Sequence, residues 1–102
     1  MNPNDAVARA IVAASYAKRG DLQTAQSQVQ LALKMDPTNP TVLYQAAIVA
    51  NIRGERAATL TWLQRSIASG RAAADIARDP EMSNLRDDPR FSSVLKTPKA
   101  KT

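Results

Sequence analysis

The sequence predicts an all-α protein built from antiparallel helix-turn-helix repeats and closed by short capping helices. Three observations predict it. The chain of 102 residues is 44% apolar but only 4% aromatic, and its abundant alanine favours helix over strand and an interior of small side chains at close approach. Apolar residues recur at three-and-four spacing along most of the chain, with almost no alternating pattern. Glycines punctuate these runs at Gly20, Gly54 and Gly70.

The first helix is expected from Asp5 to Arg19. Val7, Ala10, Ile11, Ala14 and Ala17 with Lys18 form one apolar stripe, and Ala8, Val12 and Tyr16 a second beside it, so this helix is apolar on two sides. Gly20 can take the left-handed conformation that ends it, while Lys18 and Arg19 suit the negative end of its dipole. Asp21 is the expected N-cap of a second helix ending near Met35. Leu22, Ala25, Val29, Ala32 and Leu33 share its apolar face, and Gln23, Gln26, Gln28 and Gln30 face largely toward water. In "DPTNP", residues 36 to 40, Asn39 caps and Pro40 opens a third helix that reaches about Arg53 before Gly54. A fourth follows from Glu55 to Ser69 and stops at Gly70. Asp79-Pro80 then opens a short turn carrying Met82 and Leu85, and Asp88-Pro89 a helix carrying Phe91, Val94 and Leu95.

The step from Gly20 to Gly54 recurs along both helices that flank each glycine. At that step Arg19 falls on Arg53, Asp21 on Glu55, Ala13 on Ala47, Val29 on Leu63, Gln30 on Gln64 and Leu33 on Ile67. The tripeptide Arg19-Gly20-Asp21 spells an adhesion motif, but Arg53-Gly54-Glu55 repeats the arrangement without spelling it. The three residues are therefore read as the joint between two helices.

With Val12 and Ala13, Tyr16, Gly20-Asp21, Ala25, Ala32 and Asp36-Pro37 in place, the first unit resembles the tetratricopeptide repeat (TPR), whose period of about 34 residues matches the step between the two glycines. The second unit fits through Leu43, Ala46, Ala47, Ala50, Gly54, Leu63 and Ile67. It departs at Thr59 and Ser66, which replace the two small alanines, and at Arg71, which replaces the closing proline. Arg9 stands where an aromatic is usual, as expected of a repeat with nothing before it to pack on. The resemblance implies two units, residues 6–39 and 40–73, in a short right-handed solenoid. Residues 74–95 are then a partial third repeat and cap, giving one domain over 1–95 and a basic, disordered tail over 96–102. A solenoid exposes its last repeat, which makes such a cap a physical requirement. "DPEMSNLRDDPRFSSVL" also resembles a tail that follows the last repeat in many bacterial multidomain proteins, including eukaryote-like Ser/Thr kinases and regulators. By that likeness the chain is expected to be either a free-standing module or the C-terminal regulatory or scaffold part of a larger bacterial protein.

The same resemblance implies a concave face lined by the first helix of each unit, which holds a peptide or helix of a partner protein. Carried over by position, the lining is Val7, Ala10, Ala14, Ala17 and Lys18 with Thr41, Tyr44, Gln45, Ile48, Asn51 and Ile52. Of these, Lys18, Thr41, Tyr44, Gln45, Ile48, Asn51 and Ile52 are the candidate partner-binding residues. Thr41, Tyr44, Ile48 and Ile52 lie along one side of a helix, as an apolar strip with an aromatic anchor. An open strip and one covered by the capping segment, through Ile76 or Met82, both fit the sequence. The lysine-asparagine clamp that chaperone-binding TPRs place on a terminal carboxylate is missing. Ala10 and Ala14 stand at the lysine and first asparagine positions, and Gln45 at the second asparagine.

Other chemistry has little to build on. With no cysteine and no histidine, disulfides, thiolate metal sites and the usual neutral-pH proton shuttle are ruled out, and no phosphate loop, metal spacing or nucleophile-base pair is visible. No enzyme activity, cofactor or metal is expected. Asp87-Asp88 reads as an N-cap with its neighbour rather than a carboxylate pair, and Trp62 as a core residue among Leu60, Leu63 and Ile67, with a partner anchor as its lesser reading. The net charge of +5 prompts a test for nucleic acid, but Lys96, Lys99 and Lys101 sit in the tail, and without those three of the 14 basic residues 11 remain against 9 acids. Dispersed charge disfavours nucleic acid. No apolar run reaches membrane-spanning length and no signal segment is seen, so a cytoplasmic protein with no membrane contact is expected. Binding of another protein is the first functional expectation. Self-association as a homodimer is the alternative.

Overall fold

The computed structural model describes residues 3–99, with side chains from Asp5 onward. Four long helices come first: α1 (Pro3–Lys18), α2 (Leu22–Met35), α3 (Pro40–Ile52) and α4 (Arg56–Ala68). Then come α5 (Ala73–Arg78), a 3-10 helix (Pro80–Leu85) and α6 (Pro89–Leu95), and no strand occurs among the described residues. The all-helical class is thus as expected, and the helix bounds fall within about two residues of those read from sequence.

Four helix starts carry a side-chain cap, whereas those of α4, at Glu55, and α5, at Ala72, have none. The Asp21 carboxylate accepts from Thr24 N, the Asn39 carboxamide oxygen from Thr41 N and Val42 N, the Asp79 carboxylate from Glu81 N and that of Asp88 from Arg90 N. These bonds satisfy amides that a helix start leaves unpaired. At the two matching joints, Gly20 (φ 89°) and Gly54 (φ 80°) are left-handed, as only glycine adopts freely. The chain folds back there through equivalent bonds. Asp21 N donates to Tyr16 O and Glu55 N to Ala50 O, both at 3.0 Å, each closing the end of the preceding helix.

Short turns make α1 and α2, and likewise α3 and α4, pack side by side as antiparallel pairs, and α3 also lies against α1 and α2. Alanine allows this. Ala13, Ala25, Ala32 and Ala47 are fully buried in the array, where short side chains let the backbones approach. Thr59 and Ser66, at the two small positions of the second pair, are buried as well. Their hydroxyls are satisfied: Thr59 Oγ1 donates to Glu55 O at 2.8 Å, and Ser66 Oγ to Pro40 O at 2.7 Å, which ties α4 to the start of α3.

The C-terminal elements continue the same core. Ile76, Met82, Leu85 and Phe91 join Tyr44, Ile48, Leu60, Leu63 and Ile67 in one buried cluster. Asp88 fastens the start of α6. Arg90 donates to its carboxylate at 2.9 Å, Arg56 of α4 approaches at 3.5 Å, and the hydrogen bonds from Arg90 hold its carboxyl down to about 2 from the ordinary 3.8. A carboxylate depressed on folding adds stability that is complete above its unfolded value and is lost as pH falls through the folded one. The stability difference between the parent and Asp88→Asn is therefore expected to be constant above about pH 5 and to shrink between about pH 4 and pH 2. Urea midpoints of the two proteins across that range check this, and a gap that persists unchanged at pH 2 contradicts it.

Four details differ from the sequence reading. Of the two apolar stripes on α1, the first is buried through Ala10, Ala14 and Ala17 but leaves Ile11 exposed, and Ala8 and Val12 of the second are exposed. Leu22, placed on the core face at the first turn of α2, is also exposed. Trp62 is half-buried at the surface edge of the core, with the Arg65 guanidinium 5.3 Å from its ring centroid. Gln28 is drawn in as Arg9 Nη1 donates to its Oε1 at 2.8 Å across the α1–α2 pair. Lys96 and Lys99 of the basic tail are exposed, and Lys101 lies outside the described residues.

Candidate functional site

On α3, the C-terminal segment lies across the residues expected to form the strip. Tyr44 and Ile48 are 2% and 5% exposed, Thr41, Gln45 and Asn51 are half-buried, and only Ile52, at 37%, reaches solvent freely. Tyr44 is therefore no open anchor. Its hydroxyl donates to the Asp79 carboxylate, and the Arg71 guanidinium stacks 3.9 Å from its ring centroid. Burial, reinforced by the acceptor on Asp79, pushes the phenol well above its ordinary value of 10, so it stays a neutral donor.

Asn51 holds the segment through its carboxamide. Its Nδ2 donates to Glu81 O and to Asn84 Oδ1, each at 2.9 Å, and Asn84 Nδ2 returns a bond to Asn51 Oδ1 at 3.0 Å. Lys18, on the last turn of α1, pairs with Glu81. Three predicted residues, Lys18, Tyr44 and Asn51, thus converge on one stretch, Asp79 to Asn84, while Met82 of that stretch and Leu85 just after it sink into the core behind it. Val7 is half-buried, and Ala10, Ala14 and Ala17 are packed within the array rather than lining an open face. The cause is area: a body this small has little apolar surface to leave uncovered, and the cap removes the largest strip.

An open recess lies elsewhere, between α2 and α4. It has a volume of about 470 Å³, is floored by Ala46 and Ala50 of α3, and is walled by Val29 and Leu33 on one side and Trp62 on the other. Gln26 and Gln30 form its rim, with Lys34 and Glu55 also lining it. Alanine makes the floor deep, because Ala46 and Ala50 end at Cβ while the walls extend further. Sequence reading misses this groove, since it puts Trp62 in the core and the glutamines in solvent. The available signal is the one-turn spacing of Gln26 and Gln30 on a helix whose counterpart one repeat later carries the only tryptophan.

The described residues gather no group of three or more acidic side chains fit for a metal, and none of their helices is long and apolar enough to cross a membrane. In comparison with known proteins, the chain matches no family model, no curated protein and no solved structure.

Proposed function

We propose that the chain is a non-catalytic protein-interaction module of the tetratricopeptide type, taking a peptide or helix of a partner protein in the groove between α2 and α4. The observation that carries this reading is the groove itself, open, apolar at the floor and edged with carboxamides. The repeat type is supported by the matching joints at Gly20 and Gly54 and by alanine at the close contacts. The concave strip serves the module as the seat of its own C-terminal segment.

The chemistry of the groove suits a short segment. From Gln26 to Lys34 the wall runs about 12 Å, which spans two turns of a bound helix or about four extended residues. An apolar side chain would rest on Ala46 and Ala50 against the Trp62 ring, the kind of desolvated centre that dominates protein interfaces. Gln26 and Gln30 can both donate and accept, and Lys34 and Glu55 bring opposite charges that set the direction of the bound segment.

Capture from an extract of the native cell, compared between the parent and Gln26→Arg/Gln30→Arg, tests the groove. The double variant changes only rim side chains, so its melting temperature is expected to stay within a few degrees while the captured partner is lost. Ile52→Arg, at the exposed end of the concave strip, is expected to capture normally. Unchanged capture by the groove variant together with loss in Ile52→Arg would overturn the proposal in favour of the concave face.

A further inference from the structure

The two ends of the helical array are unlike. Beyond α3 and α4, the apolar end is closed by α5, the 3-10 helix and α6. At the other end, α1 and α2 present an uncovered face. Asp5, Ala8, Val12 and Ser15 form a stripe along α1 at heptad spacing, which Arg19 continues just past the helix end; all five are exposed, and Leu31 of α2 lies exposed on the same pair. Between the helices on this face is a shallow recess of about 340 Å³ lined by Asp5, Ala8, Arg9, Val12 and Gln28.

The internal repeat indicates what kind of object fits there. The step that carries Gly20 to Gly54 also carries Ala8 to Val42 and Val12 to Ala46. Val42 is 0% exposed because Ala6, Ala10 and Ala32 of the α1–α2 pair pack over it, and Ala46, at the floor of the α2–α4 groove, is 3% exposed, whereas Val12 is 46% exposed. The uncovered face is thus the counterpart of a surface that, in the second unit, is buried by a helix pair of this same chain. A helix pair with a matching face is available on a second copy. Head-to-tail stacking would need the opposite end free, and the cap occupies it, so only the two α1–α2 ends can meet. That contact is two-fold and closes on itself.

We propose that the chain forms a symmetric dimer through the α1 stripe, with the two α1 helices antiparallel and Val12 near the axis. Charge supports this geometry. Asp5 and Arg19 lie at equal distances in sequence to either side of Val12, so an antiparallel pairing sets Asp5 of each copy opposite Arg19 of the other, twice over, while a parallel pairing would set like charges together. Ala8 and Ser15 are small enough to let the helices approach along the stripe. None of the stripe residues lines the α2–α4 groove, so the dimer stands or falls independently of partner binding there.

One α1 face and the edge of α2 lie at the low end of stable interface sizes, which places the experiment at chain concentrations on the order of 10–500 µM. Sedimentation velocity on the full chain is expected to show a monomer-dimer equilibrium and no larger species. Val12→Asp is expected to weaken it at least tenfold with unchanged helicity by circular dichroism. Asp5→Arg and Arg19→Asp are each expected to weaken it, and the double exchange to restore it. A chain that stays monomeric throughout this range, an open-ended series of larger species, or a dimer indifferent to Val12→Asp overturns the proposal. Failure of the double exchange to restore association overturns the antiparallel pairing.

Discussion

Replacing Met82 with alanine is expected to lower stability by about 2–5 kcal/mol. Met82 sits on a short 3-10 helix, an element with little stability of its own, yet it is fully buried and shares the core with Ile76, Leu85 and Phe91. Truncation removes the side chain beyond Cβ from a site whose walls are held on two sides, by α3 and by α5, so the cavity closes only partly. Against a total of about 5–15 kcal/mol for a domain of this size, the loss is large. Urea unfolding followed by circular dichroism and by the fluorescence of Trp62 checks it. The two probes are expected to give one coincident transition at a lower midpoint in Met82→Ala. A variant in which helicity falls early while Trp62 reports the parental midpoint would show that the C-terminal elements are a separable arm, contrary to the shared core.

Ala25→Leu is the second large effect, expected to cost about 1–3 kcal/mol by overpacking. Ala25 has no exposed surface in the α1–α2 joint, and neither has Ala32 two turns further along the same helix. A leucine at either place forces the helices apart and loosens the side chains around it. Gln23→Leu on the exposed face of α2 supplies the control, expected to stay within about 0.5 kcal/mol. Equal melting temperatures for Ala25→Leu, Ala32→Leu and the parent would refute close alanine packing as the basis of the fold.

The elements are legible in the sequence because their causes are local. A cap such as Asn39 acts on amides two and three residues away, and Gly20 and Gly54 end helices through bonds that close within little more than one turn. Ala13 is legible through the internal repeat, which carries it to Ala47, and Ala25 and Ala32 through the resemblance to the tetratricopeptide repeat; all three are buried. The site is less legible. Lys18, Tyr44 and Asn51 do share one surface, but their spacing alone leaves open what that surface meets. Trp62 is misread as a core residue because its neighbours in sequence are core residues, whereas its exposure depends on how far α2 stands from α4.

By itself, then, the sequence determined the helices, their joints and the small residues at which they cross. These depend on backbone geometry and periodicity within one or two turns, and every chain with these residues in this order meets the same constraints. Only the tertiary structure decided which surfaces are open. Tyr44 is held by Asp79, 35 residues away, and Asn51 by Asn84, 33 residues away. The burial of Ala10 and the exposure of Val12 on one helix follow from which side α3 approaches. Such choices are settled by competition among apolar faces for a limited number of partners, a property of the packed whole. That competition covered the expected strip and left uncovered the α2–α4 groove and the α1 stripe.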